Sequence, residues 1–448
     1  MSYEVKIKVN GDLKNIKIDP SGRMADINLL DNSLKTPRVL RLDSKINTFP
    51  NRFQYVMSIR PDIWYNNYDG VKLGAHLEGG YLRTKHLMNL DVWVNTKVGK
   101  GAIRPIAYAG APYYVFNFRH NYRNTMDVWF KNGTWGYDAR FLDGLWLASA
   151  FIDKKVTDKF SLNLAYKWMK RNNISDLEYL HYKSDWENTQ ANGSLIFTAN
   201  YQNGKNKWNE NLTVQVRTSA FTASTSYSYI SANYLFNTKV KDLDIRTRTY
   251  GRLGGGSLTP SESKLYAAQA SPEEMQENKY MRSVTAFPST LYGLYDGNSD
   301  NLHFGGGLNL RGYVGRDLLV FDKVENKFVE MYSANSGGSV NIEIGFDKYF
   351  NVQAPKIKEY IGFNTYLFTD LGMIGNVQLK KGGNTVFSLP LYDAGLGAAL
   401  TFKKFWVLQN IKPLTIRVDF PFLLSEPDAR DNGKHWAGRW VIGINRAF

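Results

Sequence analysis

The chain has 448 residues, a formal charge of +15 from 56 Lys+Arg against 41 Asp+Glu, 14% aromatic residues, no cysteine and a mean hydropathy of −0.39. Its 43% hydrophobic content can fill a core, which sets aside a disordered polymer. No apolar run approaches the ~18–20 residues of a spanning helix, which excludes a helical membrane protein but not a transmembrane β-barrel, whose strands average out as polar.

The lack of cysteine also excludes a disulfide framework, thiol catalysis and cysteine-ligated metal. The basic charge fits nucleic acid or anionic lipid and does not choose between them. Met1-Ser2-Tyr3-Glu4-Val5-Lys6 contains no apolar stretch of signal-peptide length, so for an envelope protein the expectation is a leader removed or replaced.

In residues 1–48, Val5, Ile7 and Val9 alternate with Glu4, Lys6 and Lys8; Asn10-Gly11-Asp12 supplies a turn, and Leu13, Ile16 and Ile18 begin a return strand. A turn-rich stretch follows, ending at Thr36-Pro37. One hairpin cannot bury enough surface to stand alone, so the segment reads as the end of a β-rich domain.

From about Phe53 the alternation is continuous. Val71, Leu73, Ala75 and Leu77 alternate with Lys72, Gly74, His76 and Glu78. Leu212, Val214 and Val216 alternate with Thr213, Gln215 and Arg217. Val340, Ile342, Ile344 and Phe346 alternate with Asn341, Glu343, Gly345 and Asp347. Leu414, Ile416, Val418 and Phe420 alternate with Thr415, Arg417 and Asp419. This period-two pattern predicts strands. Turns are expected at Asn66-Asn67, Gly99-Lys100-Gly101, Asn132-Gly133, Asn203-Gly204 and Lys381-Gly382-Gly383. Three features favour a membrane barrel over a soluble sandwich: strands of about 10–15 residues, charges on one face of strand after strand, and aromatics near strand ends. The aromatics are Trp64-Tyr65, Tyr81, Trp129-Phe130, Tyr349-Phe350 and Trp436.

The pattern breaks over 255–335, a span too long for an ordinary loop and expected to be functional. It holds a polar stretch, Ser271 to Asn278, read as a short helix, and the run Phe304-Gly305-Gly306-Gly307-Leu308-Asn309-Leu310-Arg311-Gly312-Tyr313. Without a following Gly-Lys-Ser/Thr this run is a poor phosphate cradle. Strand alternation puts Ile361, Phe363, Leu367 and Leu371 on one face of a later strand and Asn364, Tyr366 and Asp370 on the other, so Asp370 should face a polar lumen.

Leu310-Arg311-Gly312-Tyr313 resembles the Arg-Gly-Phe/Tyr signature of the BamA-type outer-membrane superfamily, the bacterial surface antigens. Phe368-Thr369-Asp370-Leu371-Gly372 is similar to that family's Phe-x-Asp-x-Gly motif, and Gly395-Leu396-Gly397 and Ile416 through Pro421 are similar to its last strands. The resemblance implies an all-β fold: a transmembrane antiparallel barrel of sixteen strands over 49–448, with loop 255–335 folded inward. It implies a latch in which Arg311, Gly312 and Tyr313 dock on Asp370, with Phe368 and Gly372 completing the second motif. The close at Trp440, Ile442, Ile444 and Phe448 resembles the signal read by barrel-assembly machinery, from which Arg446 departs. Ile16-Lys17-Ile18-Asp19-Pro20, Met24-Ala25-Asp26-Ile27 and Asp31-Asn32 resemble the closing strands of an aminopeptidase-N-type metallopeptidase, so residues 1–48 read as a remnant of that domain. No POTRA unit fits in this stretch.

No His-Glu-x-x-His, no histidine pair at helical i, i+4 spacing and no Gly-x-Ser-x-Gly elbow occurs, so neither catalysis, a metal site nor a cofactor is expected. Glu78, Glu343, Asp347 and Asp419 are expected to line a water-filled wall and balance Arg217, Arg246, Arg248 and Arg417. The expected partners are outer-membrane lipids and lipopolysaccharide, the barrel-assembly machinery and a translocated polypeptide, with no nucleic acid. The expected function is a membrane anchor and polypeptide-translocation module for a linked peptidase-like domain. The rivals are an insertase or translocator working with separate partners, and a plugged passive pore.

Overall fold

A computed structural model of the chain describes residues 6, 8, 10–24, 26, 28–43, 51–66, 70–99, 114–126, 130–172, 186, 190–276, 301–316, 318–322, 327–330, 332–349, 355–376, 386–403, 414–428 and 431–448. Long alternating segments pair with their chain neighbours, because each backbone N–H and C=O needs a partner and adjacent antiparallel strands supply one at the least loop cost. Among the described residues, 19 strands share one sheet. Sixteen of them form its wall in chain order: β1 Tyr55–Asn66, β2 Gly70–Tyr81, β3 Lys85–Asn95, β4 Phe116–Thr125, β5 Gly133–Leu142, β6 Leu145–Lys155, β7 Phe160–Arg171 and β8 Asn192–Lys205, followed by β9 Trp208–Ser219, β10 Tyr227–Val240, β11 Leu243–Gly256, β12 Ser336–Gly345, β13 Ile361–Asn376, β14 Leu391–Phe402, β15 Leu414–Leu424 and β16 Val441–Ile444.

Each wall strand pairs antiparallel with the next, including β11 with β12 across the long interruption. The three other strands are short. Arg38–Leu42 runs parallel to Tyr55–Ile59 of β1, Leu302–His303 runs parallel to Ile442–Gly443 of β16, and Val386–Phe387 extends the end of β13. Among the described pairings β1 and β16 do not join, so the sheet is not closed; each edge is covered by another piece of the chain. Pro61, two residues beyond Ile59, has no N–H with which to prolong the first of these ladders.

The sheet is polar within and apolar without. The face that meets the interruption, the inner face, carries Lys72, Asn341, Asp370, Arg417 and Asp419, all at 0% exposure. Their immediate neighbours point the other way: Leu73 is 49% exposed, Val340 38%, Leu371 48% and Phe420 48%. In β9, Arg217 is 3% exposed and Val216 43%. The alternation expected of the four quoted segments is therefore present, in the third only as far as Gly345, and is inverted relative to a protein with an apolar core.

The segment between β11 and β12, hereafter the insert, packs on this inner face. Its short helix α1, Pro272–Met275, starts on a capping box: Ser271 Oγ accepts from Glu274 N, and the Glu274 carboxylate accepts from Ser271 N. Leu265, Leu308, Leu310 and Tyr313 of the insert pack with Ile374, Leu391, Leu424 and Val441 of the wall in a dry cluster. Wall contacts to the insert run from Arg140 of β5 to Arg417 of β15, so the sheet curls around it.

Several sequence expectations are corrected. Leu13, Ile16 and Ile18 form no return strand; Lys17 instead makes an isolated bridge to Ser33, while Val5, Ile7 and Val9 lie outside the described residues. Asn203-Gly204 is no turn, because β8 runs on to Lys205 and reverses at Asn206-Lys207. Asp347 lies past the end of β12 rather than on the wall. Trp64 and Tyr81 do not join an outer aromatic belt. Parity turns Trp64 inward, edge-on to Trp93 at 6.5 Å, and Tyr81 is 1% exposed, its hydroxyl donating to Arg52 O. Tyr349 and Trp436 are exposed, whereas Trp129, Phe350 and the Lys381-Gly382-Gly383 turn lie outside the described residues.

Strand length is also uneven. β13 has 16 residues and β16 only 4, because Asn445 takes φ +68 and turns the last residues off the sheet. Between β14 and β15 the register slips at Ala394/Gly395, where Gly395 faces Pro421 and Leu423 faces Ala394. A bulge at this point accommodates a proline that cannot donate to the ladder.

Candidate functional site, an insert seated on charged wall residues

Three polar nodes hold the insert. The first is centred on Arg311, which enters a short 3₁₀ turn, Arg311–Tyr313, at the inner face. Its Nε and Nη2 donate to Asp370 Oδ2 and Oδ1 at 2.8 and 3.0 Å, and Nη1 donates to Glu343 Oε1 at 2.7 Å. All three side chains are at most 1% exposed. Asn341 Nδ2 donates to Asp370 Oδ1 and to the carbonyls of Leu308 and Asn309, and the guanidinium lies 4.0 Å from the Phe368 ring centroid. Burial alone would lower the Arg311 pKa, but Asp370 and Glu343 outweigh it and hold the group fully charged.

The next two residues dock on the neighbouring strands. Gly312 N donates to Asp393 Oδ2 at 2.9 Å, and a Cβ there would lie 2.3 Å from Leu424 Cδ2 and 2.7 Å from Asp393 Cβ, so only glycine fits. The Tyr313 hydroxyl is 2.8 Å from Ser425 Oγ. Gly372 sits under Leu310, whose Cδ2 would be 3.1 Å from an added Cβ. Thus Arg311, Gly312, Tyr313, Asp370, Phe368 and Gly372 share one cluster.

The second node joins the insert to the end of the chain. Arg417 donates to Asp419, to His303 Nδ1 and, from Nε, to Asn445 O at 3.1 Å. His303 Nε2 donates to Ala268 O at 3.0 Å, which leaves Nδ1 as the acceptor. Burial, then Arg417 and Arg311, push its pKa well below the ordinary histidine value, so the ring is neutral. The Tyr366 hydroxyl donates to Asp419 Oδ1 at 2.5 Å. Tyr366 and Phe368 need Gly397 and Gly395 opposite, where an added Cβ would lie 2.2 Å from Tyr366 Cε2 and 2.6 Å from Phe368 Cζ.

The terminal residues behave differently from a strand-borne signal. Trp440 is 36% exposed, and Ile442 and Ile444 lie on β16. Phe448 has left the sheet: its carbonyl accepts from Arg246 Nη2 at 2.9 Å and its ring lies 5.8 Å from the Arg311 guanidinium. Arg446 reaches inward to Glu343 Oε2 at 3.7 Å and lies over the Tyr366 ring.

The third node has no counterpart among the sequence expectations. Glu273 of α1 accepts from Lys167 of β7 and Arg217 of β9, both at 2.8 Å, and from Ser263. Burial would raise its pKa, but Arg217 and then Lys167 hold it well below the usual carboxylate range. Beside it, Glu262 accepts from Asn192 Nδ2 at 2.8 Å; burial outweighs this bond and pushes the carboxyl up to about 7. The Ser-Pro-Glu-Glu start of α1 was the available sign, since it predicts a fixed helix end but not which wall cations meet it.

Of the other wall residues expected, Arg248 donates to Asn233, Asn341 and Gly307 O. Glu78 stands near Arg60 at 4.0 Å and is exposed rather than enclosed by the insert.

No protein-family model and no curated protein sequence matches the chain. Among solved structures it is similar to BamA from Haemophilus ducreyi lacking POTRA domains 1–3, with 14% identity, 87% of this chain and 70% of that chain covered, and a TM-score of 0.47. It is similar to CdiB from Acinetobacter baumannii at 10% identity, with 84% and 52% covered and a TM-score of 0.37. It is also similar to OccAB3 from Acinetobacter baumannii at 10% identity, with 87% and 96% covered and a TM-score of 0.34. Likeness this remote carries no inference about activity or partners; the residues of the chain itself have to carry it.

Proposed function

We propose that residues 49–448 form a sixteen-stranded barrel in the bacterial outer membrane, anchoring a linked peptidase-like domain, with the insert plugging the lumen. The observation that carries this reading is the inverted polarity of the wall. A sheet that turns Leu73, Val216, Val340, Leu371 and Phe420 outward and Lys72, Arg217, Glu343 and Asp419 inward suits lipid outside and a polar interior. Lipid and lipopolysaccharide would cover the outer face, and barrel-assembly machinery would insert it through its last strands. The anchoring role is supported by residues 1–48, which expose Leu13, Ile16, Ile18 and Met24 at 49–63%, an apolar surface suited to a linked domain.

A second reading, translocation or insertion of a polypeptide with separate partner proteins, is favoured by the seam. There β1 and β16 pair with short pieces of the chain rather than with each other. Planar-bilayer recording separates the readings. The plugged anchor predicts little steady conductance from the intact chain and a wide pore when 257–335 is deleted. A wide steady conductance from the intact chain sinks the plug.

A further inference from the structure

Behind the Glu273 node a cavity of about 310 Å³ lies between the insert and strands β7 to β11. Its lining holds five cations, Lys167, Arg217, Arg248, Arg252 and Lys264, against two carboxylates, Glu273 and Glu274. Glu273 is shared by Lys167 and Arg217, and Glu274 is engaged in the cap of α1. The remaining arginines have no such relief. Arg248 and Arg252 are each 6% exposed, and among the described residues neither has a carboxylate within ion-pair distance. Arg248 gives its hydrogen bonds to two asparagine oxygens and a carbonyl. Arg252 gives one to Ser263 O and lies 3.6 Å from the Tyr229 ring centroid; its Nε, like Arg217 Nη2, is enclosed by protein and among the described residues has no acceptor.

A guanidinium withdrawn from water without an anion is costly, and its planar fork matches carboxylate and phosphate oxygens. We infer that this chamber is a binding site for a small polyanion, a compact molecule bearing two or more carboxylate or phosphate groups, held by Arg248 and Arg252. The polar lining, with Thr213, Gln215, Ser231 and Asn233 on the same wall, supplies donors for its remaining oxygens. The inference rests on the insert closing the chamber and not on the role of the barrel in the membrane.

Isothermal titration of the full chain in detergent micelles tests it, with inorganic pyrophosphate as the phosphate probe and citrate as the carboxylate probe. Saturable binding of at least one probe at a single site is expected, and the tighter of the two names the chemistry. Arg252→Gln, which can still donate to Ser263 O, should weaken binding about tenfold by removing a charged donor. Glu274→Gln keeps the capping-box acceptor but removes a negative charge from the lining, and should tighten binding. If Arg252→Gln fails to assemble, the Glu274→Gln arm decides. Absence of saturable binding by either probe, or equal affinities in the wild type and both variants, overturns the inference, the latter result marking adsorption to the basic surface.

Discussion

Arg311→Ala removes the guanidinium that ties the insert to two adjacent wall strands. Three charge-assisted bonds go, two to Asp370 and one to Glu343, leaving both carboxylates buried. Asp370 keeps Asn341 Nδ2 and the Arg311 backbone N–H, and Glu343 keeps Arg446 at 3.7 Å as its ion-pair partner among the described residues. Breaking a buried pair from one side costs roughly 3–5 kcal/mol, far more than an exposed pair. Asp370→Ala should cost less, because Arg311 still holds Glu343. The double variant should then be more stable than the two single losses summed, with a coupling of roughly 1–3 kcal/mol. Urea unfolding in lipid vesicles, followed by tryptophan fluorescence and paired with limited proteolysis of the insert, reads both effects. If Arg311→Ala unfolds within ~1 kcal/mol of wild type with an equally protected insert, the node does not hold the plug and the latch idea fails.

Further outcomes are expected from the same geometry. Gly397→Val should block barrel assembly by striking the Tyr366 ring, and Tyr366→Ala should partly restore heat-modifiable migration; no restoration argues against that contact. Leu371→Arg should cost about 2–4 kcal/mol if its face lies in lipid, whereas on a water-exposed face it should be nearly silent. Because the Glu262 pKa is raised, its contribution is complete below the unfolded value of 4.5 and is lost as pH rises through about 7. Insert protection against protease should therefore weaken between those values, and Glu262→Gln should flatten the profile. A His-Glu-x-x-His domain encoded upstream of Met1 is expected from the anchor reading; POTRA repeats there would favour the translocator.

Parity was the part of the fold most legible in the sequence. Strand alternation assigns Asp370, Glu343, Arg417 and Asp419 to one face, and the break in alternation at Gly254-Gly255-Gly256 marks where the insert begins. Alternation does not say which residue meets another across the interior. The Lys167–Glu273 and Arg417–His303 contacts join residues 106 and 114 apart in the chain, and both depend on the path the insert takes between the walls. The Arg311–Asp370 contact, at a separation of 59, is in the structure, and the motif that suggested it is a resemblance rather than a periodicity. Trp64 shows the converse limit. An aromatic near a strand end suggests a belt, but its parity and the room beside Trp93 turn it inward.

The inside-out wall is the claim on which the rest depends. The chain has no cysteine, so single substitutions Val216→Cys, Leu371→Cys and Phe420→Cys each introduce a unique thiol. In liposomes, a fluorophore on each should be quenched by brominated acyl chains, and the unlabelled thiols should resist a water-soluble maleimide until the protein is unfolded. Rapid labelling of all three thiols in the folded protein, with no quenching by brominated lipid, would contradict a lipid-facing wall.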